Sequence, residues 1–184
     1  MDLRQKKTLA AIRTAFLELL GKKPLEKITV KELAEKVQIS KATFYLHYQD
    51  IYDLAERLQA EVIGEIYQSI AHPDLVLTDQ PGFTRELFLA FRSHNELSRI
   101  LFSGSRAALI PDYVERELKK HIFRNHPELK EDIHFQALLT YQVYGGYYTY
   151  RLQGERVGEE EIAEEIVEIA RILSGAERTH HTPV

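Results

Sequence analysis

Between residues 29 and 48 two short helices are signalled back to back, with only Gln38 and Ile39 to join them. A joint of two residues leaves the chain no room to drift. The helices must turn sharply against each other, and whatever packs around them inherits that angle. Each has its own start signal. Thr29-Val30-Lys31-Glu32 is a capping-box pattern, in which hydroxyl and carboxylate can each satisfy an orphan backbone N–H, and Ile28 with Leu33 forms a hydrophobic staple across it. Ser40 is the N-cap of the next helix, expected over residues 40–48, with Ile39 and Phe44 as a second staple. Leu33, Ala34 and Val37 mark the inward side of the earlier helix.

The remaining chain alternates apolar stripes of helical period with Pro and Gly punctuation, and no segment has the alternation of a strand. Leu9, Ile12, Phe16, Leu19 and Leu20 give a first helix, with Gly21 placed where a left-handed C-terminus is expected. A fourth helix starts from Asp50 and carries Leu54, Leu58, Val62, Ile66 and Ile70 inward. Residues 72–82, with Pro73 and Pro81, form a loop in this reading. Further helices are expected near 83–94, 95–103, 111–125, 132–153 and 159–174, Gly154 and Gly175 marking the last two ends. A tail from Ala176 lacks periodicity. The expected fold is all-α with about nine helices.

Composition narrows the function classes. No cysteine is present, so disulfides and thiolate metal sites are excluded. No apolar run reaches the roughly 18–20 residues of a bilayer span, and the N-terminus has no signal-peptide pattern, so a cytoplasmic location is expected. The net charge of −4 is unevenly divided. Residues 1–50 hold ten Lys/Arg and six Asp/Glu, a net of +4, whereas residues 51–184 hold fourteen and twenty-two, a net of −8. A basic head on an acidic body suits a protein whose head meets a polyanion. The helix after the tight turn supports this. Lys41, Ala42, Thr43, Tyr45 and His47 form its small and polar side, supplying donors for phosphate oxygens and base edges and an alanine that permits close approach.

The segment ITVKELAEKVQISKATFYLHYQDIYDL resembles the N-terminal domain of the TetR family of bacterial transcriptional regulators. The resemblance rests on Ile28-Thr29-Val30, Leu33-Ala34, Ser40, Ala42-Thr43-Phe44-Tyr45, His47-Tyr48 and Leu54, and covers about 50 residues with the first helix. A looser similarity joins GGYYTYRLQGERVGEEEIAEEI to the C-terminal segment of one subgroup. The resemblance implies a helix-turn-helix DNA-binding domain over 1–50, a helical effector-binding and dimerisation domain over 51–175 linked by the shared fourth helix, and a tail over 176–184. It implies a homodimer on a double-stranded DNA operator, repressing more often than activating. Thr29, Lys31 and Lys41 would lie near phosphates or the groove floor, and Thr43, Tyr45 and His47 would contact phosphate or bases, with Ser40 and Ala42 on the same surface. Two positions depart from the pattern. Ile51 stands where the family commonly has a phosphate-contacting Lys, making Tyr52, Lys22 or Lys23 substitutes, and Gln38 replaces a turn Gly and must accept a strained or left-handed backbone.

In the body, Tyr141, Tyr144 and Tyr148 share one helix face, while Tyr147 and Tyr150 lie on the other. Such a helix is buried on both sides, or buried on one and docked on the other. With Phe88, Phe91, Leu101 and Phe102, the face of Tyr141, Tyr144 and Tyr148 is either core or the wall of a pocket for a small-molecule effector of unknown identity. Tyr147, Tyr150, Ile162, Ile166, Ile169 and Leu173 are the expected dimer surface, as the family resemblance implies for the last two helices, with Ala170 on the same stripe. Rival readings are a helical adaptor acting through protein partners and a di-iron bundle enzyme. For the latter, Glu131-x-x-His134 has the local spacing but no second copy exists. No cofactor or metal is expected.

Overall fold

The computed structural model describes residues 3–180, and the side chains of these apart from Asn95 and residues 176–180. Its described elements are helical: α1 (Leu3–Leu20), α2 (Val30–Val37), α3 (Lys41–Tyr45), α4 (Ile51–Gln68), α5 (Leu75–Thr78), α6 (Gln80–Ser93), α7 (Asn95–Leu101), α8 (Ile110–Asn125), α9 (Ile133–Val157) and α10 (Glu159–His180), with 310 turns at Leu25–Lys27, Gly104–Leu109 and Pro127–Lys130. The all-α class is as expected. The tenth helix is α5, a single turn inside the proline-marked loop. Glu86 of α6 holds that loop, accepting the His72 backbone N–H at 2.9 Å and pairing with His72 Nδ1 at 2.6 Å.

Contacts group the chain into two units. One comprises residues up to Val62 together with Glu96–Ala108, and the other comprises Ile63–Asn95 and the chain from Leu109 onward. The grouping divides α4, not the chain at residue 50, for a physical reason. Ile51, Leu54, Leu58 and Val62 are buried with the head, and buried Gln59 donates from Nε2 to the Leu101 carbonyl at 2.8 Å. Arg106 Nε donates to the same carbonyl at 3.2 Å, and burial pulls the Arg106 guanidinium below its usual pKa. The Gln59 bond fastens Glu96–Ala108 to the head, and the Arg106 bond ties that segment to itself.

In the head, Ile12 and Phe16 of α1, Leu33 of α2, Phe44 of α3 and Leu54 of α4 are completely enclosed. Thr29 Oγ1 accepts the Glu32 N–H at 3.2 Å, but the reciprocal half of the capping box is not made: the Glu32 carboxylate pairs with Lys23 Nζ at 2.5 Å instead. Ser40 Oγ accepts the Thr43 N–H at 3.0 Å, and Asp50 caps α4 by accepting the Asp53 N–H at 2.8 Å. Gln38 adopts φ 59° and ψ 42°, the left-handed turn expected of it. Gln38 N–H donates to Glu35 O at 3.2 Å and Ile39 N–H to Ala34 O at 3.0 Å, the paired bonds of a Schellman ending.

Three glycine expectations are corrected. Gly21 does not take positive φ; α1 ends through Lys22 and Lys23 N–H groups that both donate to Leu19 O. Gly154 lies inside α9, where a Cβ would meet Ile162 Cγ2 at 3.7 Å, and Gly158 at φ 106° ends the helix. α10 continues through Gly175 to His180, so part of the expected tail is helical; residues 181–184 lie outside the described residues.

In the second unit α10 lies against both α9 and α6, and α8 against α9. Ile162, Ile166, Val167 and Ala170 of α10 are buried, and a Cβ on Gly146 of α9 would meet Ile166 Cγ2 at 3.5 Å. Towards α6 the contact is ionic, with Arg85 forking onto Glu164 at 2.7 and 3.3 Å and Arg92 meeting Glu160 at 2.9 Å.

Two outcomes follow from the head. A left-handed L-residue costs about 1–2 kcal/mol, partly offset by the unfolded-state entropy of glycine, so Gln38→Gly should raise stability by about 0.5–1 kcal/mol while Gln38→Val lowers it. Gln59→Ala should cost about 1–3 kcal/mol in urea unfolding by weakening the satisfaction of a buried carbonyl.

Candidate nucleic-acid interface

The second helix of the turn is presented by packing on its far side. Phe44 is completely buried, its ring centroid 5.5 Å from Tyr48 and 5.6 Å from Tyr45, the latter edge-on. Tyr48 is in turn covered by the Arg57 guanidinium at 5.4 Å, and burial pushes its hydroxyl pKa up. Arg57 is held by Asp53 at 2.8 Å, which with the Gln49 N–H keeps the Asp53 carboxyl below its ordinary range. One face of α3 is thus locked. The helix itself is five residues, shorter than the expected span to Tyr48, but Leu46, His47 and Tyr48 continue the turn through N–H bonds to Ala42 O and Phe44 O.

What remains accessible is the set of side chains with donors or small size. Lys41, Ala42 and Tyr45 are exposed, and Thr43 and His47 are half-buried. Ser40 is exposed but spent on capping, with its Oγ 2.9 Å from Thr43 Oγ1. Thr29 and Lys31 are also exposed; the Thr29 hydroxyl serves as a cap, and Lys31 Nζ lies 3.9 Å from Glu35. The departure at residue 51 has a structural account: Ile51 is buried in the head and replaces a surface cation with a core contact. Of the substitutes, Tyr52 and Lys22 are exposed, whereas Lys23 is committed to Glu32. Sequence reasoning missed Leu46, which is 80% exposed at the end of α3. No hydrophobic periodicity can find a leucine whose position is outward.

The body residues are placed differently from their expected grouping. Tyr144 donates to Asp112 of α8, and Tyr150 lies 5.3 Å from Phe88 of α6, so these two half-buried tyrosines meet neighbouring helices on different sides of α9. Tyr147 is half-buried, its ring edge-on to Tyr148 at 5.1 Å, and Phe91 is half-buried on α6. Tyr141 and Tyr148, expected on a pocket wall, are exposed, Tyr141 to 65%. Leu101 and Phe102 are buried and belong to the first unit. Ile162 and Ile166, expected at a dimer surface, are intramolecular core, while Ile169 is exposed and Leu173 half-buried. A groove of 310 Å³ on the body is lined by Arg116, Lys119, Lys120, Phe123, Arg124 and Lys130, none of them expected pocket residues. Four of its cations lie on α8, with Arg124 in the last turn, where positive charge suits the helix dipole. Glu131 follows a 310 turn and His134 is exposed; among the described residues no group of three His, Asp or Glu could hold a metal. No described helix is long and apolar enough to cross a membrane.

An α2 seated on buried Leu33 and Ala34, a two-residue turn with Gln38 left-handed, and an α3 anchored behind and polar in front define a helix-turn-helix unit. Residues 12–58 match the family model of bacterial regulatory proteins, tetR family, so the head of the chain is a helix-turn-helix domain of that type. The chain is 27% identical over 143 residues to the uncharacterized HTH-type transcriptional regulator YxbF of Bacillus subtilis (strain 168), covering 73% of this chain and 38% of that protein. It is 23% identical over 164 residues to the uncharacterized HTH-type transcriptional regulator YvkB of the same organism, covering 79% and 84% respectively. The chain therefore spans well under half the length of the first relative.

The tyrosine bonds give a pH test. Asp112 beside Tyr144, and burial with Glu159 beside Tyr150, push both hydroxyls up to about 12. Raised pKa values hold the folded state below the ordinary value near 10, and that contribution is lost as pH rises through about 12. An ultraviolet titration should show Tyr144 and Tyr150 among the tyrosines ionising late, and Tyr144→Phe should reduce that late phase by one.

Proposed function

We propose that the chain is a repressor that binds a pseudo-palindromic operator as a homodimer and is released by a small molecule held in the body. The observation that carries this reading is the exposed face of α3, where Lys41, Ala42 and Tyr45 stand clear of a helix pinned from behind by Phe44. Thr29, Lys31, Ser40, Thr43 and His47 flank it as phosphate or base contacts. Two such helices in a twofold dimer would enter successive major grooves about one DNA turn, roughly 34–36 Å, apart.

The dimer reading is supported by an apolar face that the chain leaves uncovered. Tyr141, Tyr148 and Leu152 recur at i, i+7 and i+11 along α9, and Leu152 is 70% exposed. Ile169 and Ile172 of α10 are exposed as well. Large aromatic and aliphatic side chains aligned along one helix are the usual material of an interface core. In this reading the surface consists of those residues with Leu173, and Ile162 and Ile166 support it from beneath. A small-molecule effector would sit in the second unit against Phe88 and Phe91 on α6. It would act by favouring a spacing of the two heads that does not fit the operator, with α4, which contributes residues to both units, as the lever.

Lys41→Ala with Tyr45→Ala should abolish binding to a selected operator while leaving helicity and dimerisation intact; unchanged affinity would contradict the assignment of α3. Leu152→Glu should convert the dimer to a folded monomer in sedimentation velocity and weaken operator binding with it. A sedimentation profile unaffected by Leu152→Glu would place the dimer contact elsewhere.

A further inference from the structure

The outer side of α3 lacks the groups that read most bases. Guanine is read best by Arg or Lys, adenine by Asn or Gln amides, cytosine by carboxylates, and thymine by apolar contact with its 5-methyl group. Between residues 37 and 56 there is no Arg and no Asn, and Lys41 is the single Lys. Gln38 forms the left-handed turn, Gln49 lies beyond the end of α3, Asp50 and Asp53 are engaged at the start of α4, and Glu56 lies within α4. None of these supplies an amide or carboxylate on α3 itself.

What α3 offers instead is carbon. Leu46 is 80% exposed, and its N–H donates to Ala42 O at 3.1 Å, so exposed Ala42 lies one turn before it on the same side. Tyr45, 56% exposed, adds a ring beside them. A lone exposed leucine needs no explanation. This one ends a helix whose opposite face is fixed by a fully buried phenylalanine, which holds the strip in one place.

We propose that Leu46, with Ala42 beside it, is a specificity-determining residue of this head and reads the thymine 5-methyl group in the major groove. The proposal rests on operator binding by α3 as set out above. The half-site should accordingly contain a thymine at the position Leu46 meets, with Lys41 left as the one charged reader of guanine on the helix.

The test begins by selecting duplexes from a randomised library with the full chain. Each thymine of the selected half-site is then replaced by deoxyuridine, which removes only the methyl group. With the wild-type chain, one such replacement should weaken binding roughly fourfold, the equivalent of one buried methyl. With Leu46→Ala, the same replacement should change affinity little, because the contacting group is gone. The side chain is exposed, so the variant keeps its fold, which circular dichroism checks. A duplex bound equally with thymine and deoxyuridine throughout, or a methyl dependence that survives in Leu46→Ala, would overturn the proposal while leaving operator binding in place. Selection that enriches no duplex would overturn the operator reading itself, and this inference with it.

Discussion

The left-handed backbone of Gln38 sets the geometry from which the rest of the head follows. It lets Ile39 N–H return to Ala34 O and closes α2 in one residue, so that Ser40 can cap the next helix almost at once. Without that reversal, Leu33 and Phe44 could not both be enclosed in one core. Glutamine is an expensive choice for this conformation, costing about 1–2 kcal/mol against glycine's freedom. The Schellman bonds and the burial of Leu33 and Phe44 offset it. The proposed function depends on the same joint, because the outward chemistry of α3 is only as well placed as its inward phenylalanine.

Local signals of this kind were fully legible in the sequence. Thr29, Ser40 and Asp50 each cap the helix expected of them, since a capping side chain and the N–H it accepts are only three residues apart. Gln38 was legible through the family resemblance, which puts a glycine at that position of the turn. Glycine was less legible. A glycine can end a helix or let another helix approach, and Gly154 does the second: its bare Cα sits under Ile162. Which role applies depends on a partner seven or more residues away. The short α5 was hidden by its flanking prolines, and its position is held by the His72–Glu86 contact across fourteen residues.

The tyrosine helix shows the limit of periodicity most clearly. Helical spacing sorted Tyr141, Tyr144 and Tyr148 from Tyr147 and Tyr150, yet it could not say which face met the interior. Tyr144 leans onto α8 because Asp112 accepts its hydroxyl, and Tyr150 onto α6 because Phe88 receives it, with Glu159 beside its hydroxyl. Ile162 and Ile166 were drawn into the chain's own core by the close approach at Gly146 and Gly154. The apolar surface left outside is therefore one helix face over from the expected one, and it is there that the proposed partner chain would dock.

The central claim is that two anchored copies of α3 grip one duplex across a twofold axis. Hydroxyl-radical footprinting of the full chain on a selected duplex tests it most directly. The account predicts two protected patches on one side of the DNA, related by symmetry and separated by about one helical turn, roughly 10–10.5 base pairs. A single unpaired patch, or protection with no such spacing, would contradict it.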